Sequence, residues 1–286
     1  MNPLSRRNTH MTLADLAEDY SGESFAPAII CPICGAQSRI LHPASNIHPN
    51  KPYDFNFRVC AACRHGWIDP MPTQTLLNYL YARGSRSVIG EWGGEHRLTI
   101  PERVCVSREM GRTPARYFEL GVGLGHLYQL FIERGWDCIG VDPGDWASRF
   151  PNVHRNIGDV AATFKADVLA AFDVLEHVSD PVSMLRNLRM FAAPNARLYC
   201  AMPNRESIRA KLHRQRWRMV RPLGHVNYYS RKSIAMALEL AGFAVRYIRA
   251  TDLNELHFPR RPRDVRPALI EILGLGDQWI VIGEAS

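Results

Sequence analysis

The rhythm of apolar and polar positions changes near residue 115. From there on, short apolar runs alternate with segments whose apolar residues recur every three or four positions. The runs at 116–120, 137–141, 166–171, 197–201, 244–248 and 279–283 predict strands. The segments at 126–134, 181–191 and 230–241 predict helices, the last closed by Gly242. Before residue 115 the pattern differs. Residues 28–72 lack helical periodicity and are rich in turn formers such as Pro32, Gly35, Pro43 and Pro52, which suits short strands and knuckles. Thr73 is placed to cap a helix over 74–82, with Leu76, Leu77 and Leu80 on one face. Residues 84–94 read as a loop, and 95–110 as a helix that Pro101 interrupts or starts. Residues 1–27 are polar and mixed, with a short helical run at 12–20, and read as a loosely held arm.

Strands alternating with helices argue for an α/β fold, a largely parallel sheet with helices on both faces. The length of 286 residues suffices for about two domains. At 46% hydrophobic and 22% charged, the composition excludes a mainly disordered, collagen-like or coiled-coil chain. No run approaches the ~18 apolar residues of a membrane span. The start, Met1 to Arg7, is not followed by the apolar core of a secretory signal, so a cytoplasmic protein is expected.

Glu119-Leu-Gly121-Val-Gly123-Leu-Gly125 lies between a predicted strand and a predicted helix. Glycines let a backbone turn sharply and approach a ligand closely. Asp142 ends the next strand, where a carboxylate can accept both hydroxyls of a ribose. The spacing is G-x-G-x-G rather than the dinucleotide G-x-G-x-x-G. It resembles the first motif of Rossmann-like S-adenosylmethionine-dependent methyltransferases. Asn156-Ile-Gly158-Asp159 and the run from Phe172-Asp173 through Glu176-His177 to Asp180-Pro181 resemble later motifs of the same superfamily, in the same order. The resemblance implies S-adenosylmethionine as cofactor. It places Glu119 at the methionine amino group, Asp142 at the ribose and Asp159 at the adenine amine. Phe172 and Asp173 would lie near the methionine end.

Seven cysteines, an odd number, do not form a disulfide framework in a chain this long. Cys31-Pro-Ile-Cys34 and Cys60-Ala-Ala-Cys63, separated by 25 residues, can supply four thiolates to a tetrahedral Zn²⁺. Such a site leaves no open position, so the expected zinc is structural. C-P-x-C-G, a second C-x-x-C and then Asp69-Pro70-Met-Pro72 before a helix resemble the zinc-ribbon start of a group of methyltransferases acting on sugars and other natural-product or cell-surface precursors. Two departures stand out: Arg64 occupies the usual glycine of the second knuckle, and the large C-terminal domain of the sugar C-methyltransferases is missing from this sequence. The expected organisation is an arm (1–27), a zinc-ribbon module (28–72), a helical linker (73–113) and a methyltransferase domain (114–286).

Two segments are candidates for acid–base work. His177 follows a strand C-terminus, where open α/β sheets bind ligands. Asp173-x-x-Glu176-His177 also resembles the E-x-x-E-H metal site of ubiquinone-pathway O-methyltransferases. Gly224-His225-Val-Asn-Tyr228-Tyr229-Ser230 resembles the H-x-x-Y-[FY]-S segment of glycan-type relatives. His177, His225 and Tyr228 are thus the catalytic candidates, though Ser230 with its aromatics also suits a plain helix cap.

The net charge is +7. Between positions 205 and 232 stand nine basic residues and one acid, Glu206. Residues 205–218 would form a helix basic on most sides or a segment ordered by its ligand. Arg260, Arg261, Arg263 and Arg266 form a second cluster. Arginine forks suit phosphate, so a small-molecule or glycan-precursor acceptor, phosphorylated ones included, is one reading. An RNA methyltransferase using the zinc module and the arginines to grip RNA is the alternative.

Overall fold

The computed structural model describes residues 23–44, 55–90, 98–144, 148–251 and 275–286. The helical run expected at 12–20, most of the arm and the second arginine cluster lie outside the described residues.

Two sheets organise the chain. The N-terminal sheet contains β2 (Ser38–Ala44), β3 (Phe55–Cys60) and β4 (Gly66–Asp69), an antiparallel meander. β1 (Phe25–Ala26) pairs β5 (Met71–Pro72) beside it. α1 (Gln74–Gly90) and α2 (Ile100–Glu109) follow. α1 continues through Gly84 where a loop was expected, because one glycine costs a helix only about 1 kcal/mol and its apolar face, Leu76, Leu77 and Leu80, is fully buried. Pro101 sits in the first turn of α2, where its missing N–H is harmless, and Thr99 and Glu102 close a capping box around it.

The large sheet has seven strands. In chain order they are β6 (Arg116–Leu120), β7 (Asp137–Val141), β8 (Val153–His154), β9 (Ala166–Phe172), β10 (Ala192–Pro203), β12 (Phe243–Thr251) and β13 (Gln278–Ala285). Across the sheet the order is β12-β13-β10-β9-β6-β7-β8, and β13 runs antiparallel to both its neighbours. The remaining pairings are parallel. This is the Rossmann-like α/β architecture expected from the alternation. Its helices α3 (His126–Glu133), α4 (Pro181–Met190) and α6 (Arg231–Leu240) bury residues at helical spacing, such as Val182, Leu185 and Leu188.

The chain leaves β6 toward β7 and β8, then returns to place β9 on the other side of β6. The strand ends at that reversal are where open α/β sheets bind ligands. Residues 205–218 do not form one helix. α5 (Ile208–His213) is short and gives way to a 3-10 turn at Arg214–Arg216, with Arg214 at φ 49°.

The two sheets share one body. The strand β11 (Asn227–Tyr228), far along the chain, pairs with β4 and completes the small sheet. Trp217, Met219, Val220, Leu223 and Tyr228 pack with Phe55, Phe57, Ile68, Leu76 and Leu80 in a common apolar cluster. Cys105, Cys138 and Cys200 are buried in the core as free thiols.

Candidate active site

The glycine loop leaves β6 with Gly121, Gly123 and Gly125 all at positive φ. A side chain on Gly121 would collide with Val174, and one on Gly125 with the Phe150 ring. At Gly123 a Cβ would meet no side chain within 4 Å, so the middle of the loop faces open space. Asp142 sets this shape. Its carboxylate accepts the Gly123 N–H and the Gly144 N–H, each at 2.7 Å. Burial raises the Asp142 carboxyl, while those two donors oppose the rise. Each oxygen keeps a lone pair for a further donor.

The other cofactor candidates divide. Glu119 is buried and accepts a hydrogen bond from the Tyr117 hydroxyl at 2.8 Å; burial pushes its carboxyl well above the usual range. Phe172 ends β9 beside the loop and Asp173 follows it, its N–H bonding Ala201 O of β10. The Asp173 side chain is reachable by solvent but walled by protein, which pushes its carboxyl up to about 6 against the Gln278 amide it accepts at 2.7 Å. Asp159 is exposed and caps its own turn by accepting the Asn156 N–H at 3.2 Å.

The segments bearing the two histidines converge. The rings of His177 and His225 lie 4.8 Å apart, centroid to centroid. One ligand-type atom each from Glu176, His177 and His225 falls within 4.8 Å of the others, a cluster that can accept a proton or hold a cation. His177 Nδ1 lies 2.7 Å from Gly224 O, so Nδ1 carries the proton and Nε2 is left as a lone pair. His225 Nδ1 is buried without a hydrogen-bond partner among the described residues. In the tautomer protonated at Nε2, Nδ1 is a free acceptor. Burial holds both imidazoles neutral, His177 down to about 4 and His225 well below the ordinary histidine value. Glu176 Oε2 is also buried without a partner, and burial with the nearby Asp173 raises its carboxyl.

Tyr228 does not join this cluster. Its hydroxyl donates to His225 O at 2.6 Å and accepts the Arg221 N–H, and its ring faces Phe57 and Trp217. Tyr81 of α1 takes the place instead: its hydroxyl bonds His177 Nδ1 and donates to Gly224 O. Gln74 at the start of α1 accepts from the Ser179 N–H and hydroxyl.

The four cysteines of the small sheet meet in pairs, Cys31 with Cys63 and Cys34 with Cys60, each at 3.5 Å between sulfurs. That is near the ~3.8 Å edge of a tetrahedron with Zn–S bonds of about 2.3 Å. Burial disfavours the Cys60 thiolate, but the Cys63 and Ala62 N–H groups outweigh it and bring the thiol down to about 7. The donor set therefore fits zinc. This corner is wired to the segment that carries His225. Ser230 donates to Cys63 O at 2.8 Å, Lys232 to Ala62 O at 2.9 Å, and buried His65 Nε2 bonds Asn227 Oδ1 at 2.9 Å.

Residues 101–248 match the family described as a methyltransferase domain. The chain belongs to the methyltransferase-domain family. Among curated relatives of this methyltransferase is the ubiquinone biosynthesis O-methyltransferase of Pseudomonas aeruginosa strain UCBPP-PA14. It is 23% identical over 114 residues, covering 35% of this chain and 49% of the relative. The chain thus spans about half the length of the curated relatives it matches. The Burkholderia thailandensis 1,6-didemethyltoxoflavin-N1-methyltransferase, solved with S-adenosylhomocysteine and 1,6-didemethyltoxoflavin, is 13% identical with a TM-score of 0.54, covering 86% of this chain and 99% of that one. The magnesium protoporphyrin IX methyltransferase of Synechocystis PCC 6803, with bound S-adenosylhomocysteine, is 13% identical with a TM-score of 0.51, covering 74% and 99%. These likenesses are likenesses of fold. Together with the family match they bear out a methyltransferase domain of Rossmann-like α/β fold, as the glycine loop led one to expect.

In this methyltransferase, Tyr81, Gln74 and Gln278 were not legible as site residues. Each is an ordinary residue of a helix or strand with no motif around it, and only the packing of α1 and β13 brings it to the site. Among the described residues no helix is long and apolar enough to cross a membrane.

Proposed function

We propose that the chain transfers the methyl group of S-adenosylmethionine to a small-molecule acceptor, a sugar or glycan precursor that carries an anionic group. The observation that carries this reading is the juxtaposition of the Asp142-pinned glycine loop with the Glu176–His177–His225 cluster at neighbouring strand ends. When bound, S-adenosylmethionine supplies an electrophilic sulfonium methyl that an acceptor atom displaces in line. In this reading Gly121, Gly123 and Gly125 give the cofactor backbone close approach. Glu119, Asp142, Asp159, Phe172 and Asp173 are assigned to its polar and methionine ends. His225 Nδ1, a neutral and unpartnered acceptor, takes the proton of an acceptor hydroxyl. His177, fixed by Gly224 and Tyr81, shapes the same wall. The acceptor would satisfy the buried atoms that the protein leaves unpaired, which favours a polar substrate at this point.

Cys31, Cys34, Cys60 and Cys63 would hold one Zn²⁺, with every position filled by a thiolate and none left for catalysis. The metal would brace residues 28–72 against the segment that presents His225.

The test is a transfer assay with labelled S-adenosylmethionine against a panel of sugars, nucleotide-sugars and ribosomal RNA. Labelling of a small molecule, lost in His225→Asn, supports the reading. Labelling of RNA alone replaces the small-molecule acceptor with the nucleic-acid one.

A further inference from the structure

The basic stretch between positions 205 and 232 is sorted by the fold. Arg205 donates to Arg64 O, Arg209 pairs with Asp277, Arg221 donates to Arg218 O, and Lys232 donates to Ala62 O. These side chains hold the segment in place. Arg214 and Arg216 do something else. With His42 and His213 they line an open pocket of about 390 Å³ between the 3-10 turn and β2, with Leu41 and Pro43 as an apolar margin. Among the described residues no carboxylate lines it, and neither guanidinium has a carboxylate partner.

Two guanidiniums gathered without a counter-charge repel one another. The field is felt at His42: burial first, then Arg214 and Arg205, hold its imidazole below the ordinary value. The pocket is also built. His42 stacks on Phe57 at 4.9 Å, Phe57 packs on Tyr228 at 4.8 Å, and Trp217 anchors the turn from beneath. Phe57, on which His42 stacks, also touches Tyr228, three residues from His225, so one ring links the pocket wall to the segment that presents the proposed base.

We propose that the pocket lined by His42, His213, Arg214 and Arg216 is an anion subsite that takes the phosphate group of the acceptor. Planar guanidinium forks match phosphate oxygens in geometry as well as charge, and the apolar margin suits the organic part of a small ligand. The proposal rests on the small-molecule reading above and gives it a substrate class, a phosphorylated acceptor.

The test uses the full chain and inorganic pyrophosphate as probe, followed by calorimetry at low salt, with S-adenosylhomocysteine titrated in parallel. Arg214→Gln and Arg216→Gln each remove one guanidinium from the pocket wall. Each is expected to weaken pyrophosphate binding by about tenfold. Lys211→Gln, exposed on α5 and outside the pocket, should leave it unchanged. Arg216→Lys, which keeps charge but loses the fork, should fall between. An unchanged melting temperature separates these effects from misfolding. No pyrophosphate binding in a chain that still binds S-adenosylhomocysteine overturns the subsite alone; no binding of either overturns the methyltransferase site as well. Salt-steep binding of an RNA oligonucleotide that Lys211→Gln weakens as much as Arg216→Gln would overturn the subsite in favour of a diffuse nucleic-acid face.

Discussion

At the residue scale, the site rests on how few side chains carry its polarity. His225 matters because its Nδ1 lacks a protein partner, not because it is a histidine near a cleft. His225→Asn should lower kcat by about 10²–10³-fold while changing S-adenosylhomocysteine affinity little. Equal losses in both would make the residue part of the cofactor cradle instead. The pH dependence follows from burial. A base must be neutral to work, and a lowered pKa keeps it neutral to lower pH. With His177 at about 4 and His225 also pushed down, kcat should show no inflection near the ordinary histidine value of 6.5. A pH–rate profile with an acid limb centred there would show a solvated imidazole. The sequence pointed to His177 through its place after a strand and to His225 through the resemblance of its segment to H-x-x-Y-[FY]-S. It could not separate Tyr228 from Tyr81, because the choice depends on which way one ring turns and on where α1 packs.

At the scale of elements, the strands and helices after residue 115 were legible because each carries its own apolar period. The misjudged places are those where tertiary contact overrides local preference. Gly84 lies inside α1, and the basic run breaks at Arg214 rather than continuing as one helix. β11 is only two residues long and has no pattern of its own; β4 defines it. That pairing has a consequence for the cysteine corner. About one zinc per chain is expected by elemental analysis, and Cys60→Ser should release it and lower the melting temperature. Because β4 holds β11 and Cys63 O holds Ser230, the same variant should lower kcat even where the large sheet stays folded. Zinc loss with undiminished activity would show that the corner and the catalytic segment are independent.

At the scale of the molecule, a small module followed by a catalytic domain describes the order of the chain but not its core. Trp217 and Tyr228 pack among Phe57, Ile68 and Leu80, so residues from both halves form one apolar cluster. Trp217→Ala should cost about 3 kcal/mol in urea unfolding, within a single transition. Two separated transitions would show that the halves unfold apart. Such mixing is invisible in sequence, since nothing marks Trp217 as the partner of a strand some 150 residues earlier. The whole arrangement serves the loop at Gly123. The most direct test of that claim is calorimetric titration of S-adenosylhomocysteine into the full chain and into Asp142→Ala. Binding at about micromolar affinity, lost in the variant, is the predicted result. No binding to the parent chain, or equal binding to both, would contradict the account.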